Sequence, residues 1–339
     1  MMCLKILFAY TRSVLSFYLI LLITINKKQK IYISPNNILG EGNSKMKKGL
    51  IATIVVILVI FVSGCGSSKG PSTTDYYTGT QGIVMNFMQN SPPAEVFDGD
   101  RVPFIVEVKN QGASPTTPKL WLSGHDRNII HISWDNIGTN PGTIEARDEN
   151  NPIGGYATLE AQSVSITLPE NVDSYDTNMK LTACYHYTTH ASAQVCVDPD
   201  PTQNQDDACT ARDISLGGGQ GGPVAITSIG VDSSKDKVRF TINIANDGDG
   251  TIIQGSAVGS CTNLRASDID VVSVSQQPLS GHGLDCKPNP VRLVNGRGVV
   301  YCEASMGGFP RTAFTTLLRL DLNYGYKSSI SRTISVKRI

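Results

Sequence analysis

Charged residues, histidines and catalytic motifs are all scarce in this chain. Charged residues make up 17% of its 339 residues, and only five residues are histidines. No G-x-S-x-G motif lies between a strand and a helix, and the glycine run 217–222 lacks the lysine of a phosphate-binding loop. His125, His131 and His282 have no acidic or thiol neighbours at a catalytic spacing. These absences argue against an enzyme and against a bound cofactor.

A basic and then apolar segment ends at a cysteine near the N-terminus. From Met46 the sequence has Lys47-Lys48, an uninterrupted apolar run from Leu50 to Val62, and then Ser63-Gly64-Cys65. This is the order of an exported leader, and the apolar run is shorter than the roughly 20 residues that span a bilayer. Val62-Ser63-Gly64-Cys65 resembles the lipobox of lipoprotein signal peptides, which implies cleavage before Cys65 and lipid attachment to it.

Two other interpretations of the leader stay open. The segment can remain uncleaved as a membrane anchor, with Cys65 an ordinary thiol, or Lys48-Gly49-Leu50 can act as a prepilin-type site that makes Leu50 the first residue. A second apolar segment, 13–26, precedes the leader. We favour Met46 as the true start, so that 1–64 are leader, with the signal peptide at 46–64, and 65–75 are a flexible tether.

The exported part of the chain is acidic. Residues 1–64 hold eight Lys or Arg and one Glu of the 29 basic and 29 acidic residues, which leaves 21 basic and 28 acidic residues and a net charge of −7. This charge argues against nucleic acid as a partner, because phosphate binding needs concentrated positive charge. The expected location is the extracytoplasmic face of the cell envelope. The expected partners are the membrane, through the N-terminus, and a protein or glycan at the cell surface.

Six cysteines follow Cys65, an even number that can pair completely in an oxidising compartment. If 180–197 forms a hairpin that turns near Thr189-His190, Cys184 lies opposite Cys196. A second hairpin signal, Asn295-Gly296, would set Cys302 opposite Asn289. A bond from Cys286 to Cys302 therefore needs a bulge or an irregular entry through Pro288 and Pro290, and it is preferred by proximity. The pairs expected are Cys184 with Cys196, Cys286 with Cys302 and, by remainder, Cys209 with Cys261, while other pairings stay open.

An internal repeat indicates the architecture. Residues 102–112 and 238–248 both have the pattern V-x-F-x-[VI]-x-[VI]-x-N-x-G, with Asn110 and Gly112 in the first copy and Asn246 and Gly248 in the second. The alternation has the period of a half-buried strand, and Asn-x-Gly is expected to supply positive-φ turn residues. With no helical period beyond Val62, the repeat predicts an all-β chain. Its expected domains are two tandem immunoglobulin-like β-sandwiches, at 76–198 and 209–339, joined by an acidic linker at 199–208.

The strand that ends in Asn-x-Gly resembles the immunoglobulin-like modules of the CARDB and NEW3-like type. These modules are common in archaeal and bacterial surface proteins. The resemblance implies the sandwich fold, a turn role for Asn110 and Asn246, and a function in adhesion, spacing or presentation. The cysteines are not part of the general module pattern.

Three groups of residues are candidates for ligand binding. Asp198, Asp200, Asp206 and Asp207 place four carboxylates around the linker, a weak calcium candidate beside the simpler interpretation of a solvated linker. Cys184, His186, His190 and Cys196 are zinc-ligand types, but export favours disulfides, so no metal is expected there. Trp121, Trp134, Tyr76 and Tyr77 form a possible sugar-stacking platform, although Trp121 lies in a strand pattern typical of a core.

Three functional hypotheses follow. The first is a non-catalytic, membrane-anchored structural, adhesion or partner-binding protein. The second is a lipoprotein whose ligand binding is specific for carbohydrate or depends on calcium. The third is a pilin-like subunit, or else an envelope enzyme or its accessory subunit. The enzyme hypothesis would need acidic or histidine residues of loops 136–155 and 254–268 to converge in one cleft.

Overall fold

A computed structural model describes residues 75–132, 134, 139–200 and 208–339. Residues Gly70–Ile339 form one compact unit. The leader, Cys65 and most of the tether lie outside the described residues, as do Asp206 and Asp207. In the described part of the chain, no helix is long and apolar enough to cross a membrane.

The described residues form strands and a few short 3-10 helices, so the predicted all-β class is confirmed. The 3-10 helices are Asp75–Tyr77, Gly255–Ser260 and Ala266–Asp268. The strands are β1 (Ile83–Phe87), β2 (Glu95–Phe97), β3 (Arg101–Asn110), β4 (Lys119–Ser123), β5 (Ile130–His131), β6 (Tyr156–Ile166), β7 (Ser174–Val197), β8 (Ile214–Ser215), β9 (Val224–Ser233), β10 (Lys237–Asn246), β11 (Thr251–Ile253), β12 (Val271–Gln276), β13 (Asp285–Lys287), β14 (Val291–Arg292), β15 (Arg297–Ser305) and β16 (Phe314–Lys337).

These strands make three sheets around one hydrophobic core. A four-stranded sheet has the order β1-β3-β6-β5, a five-stranded sheet β13-β15-β10-β9-β8, and a seven-stranded sheet includes β14-β12-β16-β7-β4. The remaining strands β2 and β11 both pair with β16, and β2 is parallel to it, whereas the other pairs are antiparallel. The core includes buried side chains from all three sheets, as in a β-sandwich.

The two copies of the sequence repeat are β3 and β10. Each lies inside its sheet and pairs on one side with a strand from earlier in the chain, β3 with β1 and β10 with β9. The alternating apolar residues face the core, as predicted: Phe104 and Val106 are fully buried in β3, and Phe240 and Ile242 are fully buried in β10. The period-two pattern therefore identified one central strand of each smaller sheet.

The predicted hairpin at 180–197 is wrong, because this segment lies within one continuous strand. β7 and β16 each have 24 residues and pair along their whole length, from Phe314 opposite Val197 to Lys337 opposite Ser174. Thr189 and His190 are not turn-forming residues, and Thr189 continues the buried face of the strand. At about 3.3 Å per residue, each strand is roughly 80 Å long.

Because β7 and β16 are so long, the two halves of the chain share a sheet. β4 pairs with β7 at Lys180–Cys184, and β2 pairs with β16 at Ser335–Lys337, so the end of β16 lies beside strands from the first half. Arg338 reinforces this end with an ion pair to Asp98 at 3.1 Å. The expected linker at 199–208 therefore does not separate two packing units.

The disulfide bonds differ from two of the expected pairs. The bonds are Cys184–Cys261, Cys196–Cys209 and Cys286–Cys302. Cys184 and Cys196 cannot bond to each other, since they lie 12 residues apart on one extended strand, roughly 40 Å.

The third pair agrees with the expectation. Cys286 lies directly opposite Cys302 in the β13–β15 ladder. The chain then leaves this ladder through Pro288 and Pro290, and β14 pairs with β12 instead. The predicted Asn295-Gly296 turn is present, closed by the bridge between Val294 and Arg297, and both of its residues have positive φ.

Candidate functional site

Four buried tyrosines lie where the two halves meet. Across the β7–β16 ladder, His186 is opposite Gly325, Tyr185 is opposite Tyr326, and Tyr187 is opposite Tyr324. The two Tyr-x-Tyr segments are thus related by a local two-fold axis through the central pair. The ring centroids of Tyr185 and Tyr326 are 5.9 Å apart, and those of Tyr187 and Tyr324 are 6.0 Å apart.

The hydroxyls of Tyr185 and Tyr324 form equivalent hydrogen bonds with the backbone of the first and the second half of the chain. The Ile83 N–H donates to the Tyr185 hydroxyl at 3.1 Å, and the Val224 N–H donates to the Tyr324 hydroxyl at 3.2 Å. Both contacts fix the start of the strand that pairs with the repeat strand. The two copies of the sequence repeat therefore have equivalent hydrogen bonds to tyrosine, although the tyrosines themselves lie outside the repeated segments 102–112 and 238–248.

The hydroxyls of the other two tyrosines, Tyr187 and Tyr326, form hydrogen bonds with the loops that contain the Asn-x-Gly motifs. The Ser114 N–H donates to the Tyr187 hydroxyl at 3.2 Å, and the Gly250 N–H donates to the Tyr326 hydroxyl at 2.7 Å. Four residues before each of these donors, an asparagine braces the same loop. Asn110 Nδ2 donates to the Ser114 carbonyl at 2.8 Å, and Asn246 Nδ2 donates to the Gly250 carbonyl at 3.0 Å.

The expected role of the glycines in these motifs is wrong. Neither Gly112 nor Gly248 has a positive φ. Instead a tyrosine hydroxyl occupies the space where a Cβ would project: Tyr187 beside Gly112, and Tyr326 at 2.5 Å from the Cβ position of Gly248. Glycine is needed for this close approach, not for turn conformation.

The buried tyrosines predict a loss of stability at alkaline pH. Burial raises the pKa of Tyr187 and of Tyr326 to about 12, and that of Tyr185 and Tyr324 also rises. In the unfolded chain a tyrosine loses its proton near pH 10, whereas these buried tyrosines keep theirs to a higher pH. The free energy of unfolding is therefore unaffected below pH 10 and falls as the pH rises from 10 to 12. The expected fall is about 1.4 kcal/mol per pH unit for each tyrosine.

Urea unfolding at pH 9, 10 and 11 measures this slope. Tyr187→Phe is expected to reduce the slope, whereas Tyr301→Phe, at a side chain that is 61% exposed, is expected to leave it unchanged. An unfolding midpoint that does not move between pH 10 and pH 11 would contradict the prediction.

The outer face of the shared sheet carries a second, smaller core. Cys184 points away from the main core and bonds to Cys261, and this bond holds the segment Gly255–Ser260 against β7. Ile253 and Val258 pack over Gly325, whose Cβ position lies 2.6 Å from Val258 and 2.7 Å from Ile253. The disulfide and the missing side chain together allow this segment to cover the sheet.

A pocket of about 390 Å³ lies at the edge of this cover. Its charged lining residues are all basic: Arg127, Lys180 and Lys327. Trp121 also lines it and packs against the small core, and the remaining lining residues are Leu122, Ser123, Thr182 and Thr262. Lys327 Nζ donates to the Cys261 carbonyl at 3.2 Å, which connects the pocket to the disulfide.

The two lysines of this pocket affect each other electrostatically. Burial and the positive charge of Lys180 lower the pKa of Lys327. In the described part of the chain, neither lysine forms a salt bridge with a carboxylate. A bound anion would reduce the repulsion between the two ammonium groups.

The structure separates the aromatic residues that the sequence grouped as a platform. Trp121 lines the pocket, but Trp134 is buried against Phe104, with ring centroids 5.3 Å apart. Tyr76 and Tyr77 belong to the first 3-10 helix and do not line this pocket. Sequence reasoning missed Lys180 and Lys327, which are 147 positions apart and come together only through the β7–β16 register.

The metal candidates do not form a site among the described residues. Asp198 Oδ1 accepts a hydrogen bond from the Asp200 N–H at 3.0 Å, as in a tight turn. Cys184 and Cys196 are in disulfides, and His190 Nδ1 lies 2.7 Å from an oxygen of Asp321. Within the described ranges no three His, Cys, Asp or Glu residues come together as a metal site.

The fold and its covalent bonds define a class of protein. It is an all-β sandwich whose three disulfides indicate an oxidising, extracytoplasmic environment. No protein-family model matches the chain, and no curated protein is significantly similar to it.

Proposed function

We propose that this chain is a non-catalytic, lipid-anchored protein of the cell envelope that presents a binding surface to a protein or glycan on the extracytoplasmic side. The observation that carries the proposal is the pocket beside Cys184–Cys261, where a covalent bond holds a loop over the outer face of the sheet. Fixing a loop in place reduces the entropy lost when a partner binds. The sheet itself is stiffened by the 24-residue pairing of β7 with β16.

The leader supplies the anchor in this proposal. With Cys65 acylated, the 11-residue tether 65–75 would reach at most about 40 Å from the membrane surface, at up to 3.6 Å per residue. Such a tether allows the rigid unit to reorient and meet partners in the envelope. The resemblance of the Asn-x-Gly strands to immunoglobulin-like modules belongs to the same proposal, since modules of that type are mostly used for adhesion, spacing or presentation.

The mass of the N-terminal peptide tests the anchor. Protein extracted from native membranes and reduced is expected to begin at Cys65 and to carry a diacylglyceryl adduct. Cys65→Ser is expected to abolish the adduct and to release the protein from the membrane fraction, while Ser72→Ala, in the tether that follows Cys65, is the control that should change neither. A chain that begins at Leu50 would overturn the proposal in favour of a pilin-like assembly.

A further inference from the structure

We propose that the pocket lined by Trp121, Lys180 and Lys327 binds an acidic saccharide, a sugar that carries carboxylate groups. This inference rests on the proposed function, because it names the ligand of the binding surface described above. It makes the protein a receptor for anionic glycan rather than only a spacer.

Charge is the first reason. Lys180 and Lys327 lie on neighbouring strands and face the same pocket, and Arg127 adds a third basic group to the lining. The chain after Gly64 is acidic as a whole, so two lysines that form no salt bridge, in a lining without an acidic residue, are a local exception. Carboxylates form charge-assisted hydrogen bonds with both ammonium and guanidinium groups.

The uncharged lining residues are the second reason. Trp121 is partly exposed on the outer face, and an indole ring offers a broad apolar surface with one polar edge. Ser123 and Thr262 add exposed hydroxyls that both donate and accept hydrogen bonds, as sugar hydroxyls do, whereas Thr182 is buried with its hydroxyl 2.9 Å from that of Ser329. A simple anion site would need only the cations, whereas an apolar ring with hydroxyls around it suits a saccharide.

The architecture of the site is the third reason. Thr182 lies between Trp121 and Ser329 in the ladder, so the pocket floor is built from paired strands. Its rim belongs to the segment that Cys261 fixes to β7. A floor of rigid strands and a covalently held rim give a preformed site, in which little ordering is required on binding.

Calorimetric titration of the full mature chain in detergent tests the inference. Trigalacturonate is the probe, and galactotriose, its neutral counterpart, is the matched control ligand. Trigalacturonate is expected to saturate one site, and galactotriose to bind at least about tenfold more weakly. Lys180→Gln and Lys327→Gln are each expected to weaken trigalacturonate binding by about tenfold, since each removes one charge-assisted hydrogen bond.

The control variant is Lys235→Gln, at an exposed lysine between β9 and β10, which is expected to leave binding unchanged. Trp121→Phe is expected to retain most of the affinity and Trp121→Ala to lose it, with circular dichroism confirming that each variant is folded. Equal binding of the two trisaccharides would overturn the inference. So would inorganic phosphate, or phosphatidylglycerol vesicles, binding through the two lysines as tightly as trigalacturonate.

The titration and the mass of the N-terminal peptide can contradict their two proposals separately. If Cys65 carries lipid but trigalacturonate does not bind, the envelope role stands and the ligand class is wrong. If trigalacturonate binds but Cys65 carries no lipid, the pocket assignment stands and the anchor is wrong.

Discussion

Ending the chain at Asn323 is expected to unfold the first half of the protein, not only the second. The deletion removes the part of β16 that lies between β7 and β2. It takes away four buried side chains, Tyr324, Tyr326, Ile334 and Val336, each at most 3% exposed. At roughly 1.5 to 3 kcal/mol for each large apolar side chain, the loss approaches the whole stability of a domain, about 5 to 15 kcal/mol.

Hydrogen exchange of the β3 amides measures this effect. In the shortened chain their protection is expected to fall to the level of an unfolded chain. A chain that lacks only Ile339, which is 96% exposed, serves as the control and should exchange as the full chain does. Persisting protection in β3 would mean that the two halves fold independently, as the repeat alone suggested.

Adding one methyl group at the Asn-x-Gly motif is expected to destabilise the protein strongly. In Gly112→Ala the new Cβ meets the Tyr187 hydroxyl and lies 2.8 Å from the backbone oxygens of Gln81 and Gly221. Overpacking of this kind costs about 3 kcal/mol, and the backbone oxygens cannot rotate away as a side chain can. Gly248→Ala is expected to act in the same direction, because it displaces the Tyr326 hydroxyl.

Thermal or urea unfolding of matched variants checks this prediction. Gly283→Ala is the control, since nothing lies within 4 Å of its Cβ position and its φ is not positive. That substitution should change stability by less than about 1 kcal/mol, and can even increase it by restricting the unfolded chain. A Gly112→Ala variant as stable as Gly283→Ala would show that the hydroxyl contact is not required.

The two halves have the arrangement of a strand-exchanged dimer within one chain. Each half supplies a smaller sheet, and each of the long strands β7 and β16 serves both halves, with the local two-fold axis at His186 and Gly325. The tyrosine contacts follow this axis, so a change at Tyr185 has its counterpart at Tyr324. The outer-face pocket does not follow it, because Trp121 and the Cys184–Cys261 bond lie only on the side of the first half.

The sequence by itself determined the all-β class, the repeated strands β3 and β10 and the Asn295-Gly296 turn, and it favoured the Cys286–Cys302 pair by proximity. These features are local: alternation of period two shows which residues face a core, and turn chemistry or short separation brings neighbours together. The alternation of apolar and polar residues is the same in one 24-residue strand and in a hairpin of two shorter strands. The sequence therefore could not show that the predicted hairpin at 180–197 is part of one continuous strand.

Only the tertiary structure decided the pairing of β7 with β16, the bonds Cys184–Cys261 and Cys196–Cys209, and the meeting of Lys180 with Lys327. These contacts join positions far apart in the chain, and register over a long sheet is set by burial of the whole face rather than by any short segment. The requirement for glycine at position 112 is also decided by the tertiary structure, because the hydroxyl that excludes a Cβ there belongs to the distant residue Tyr187.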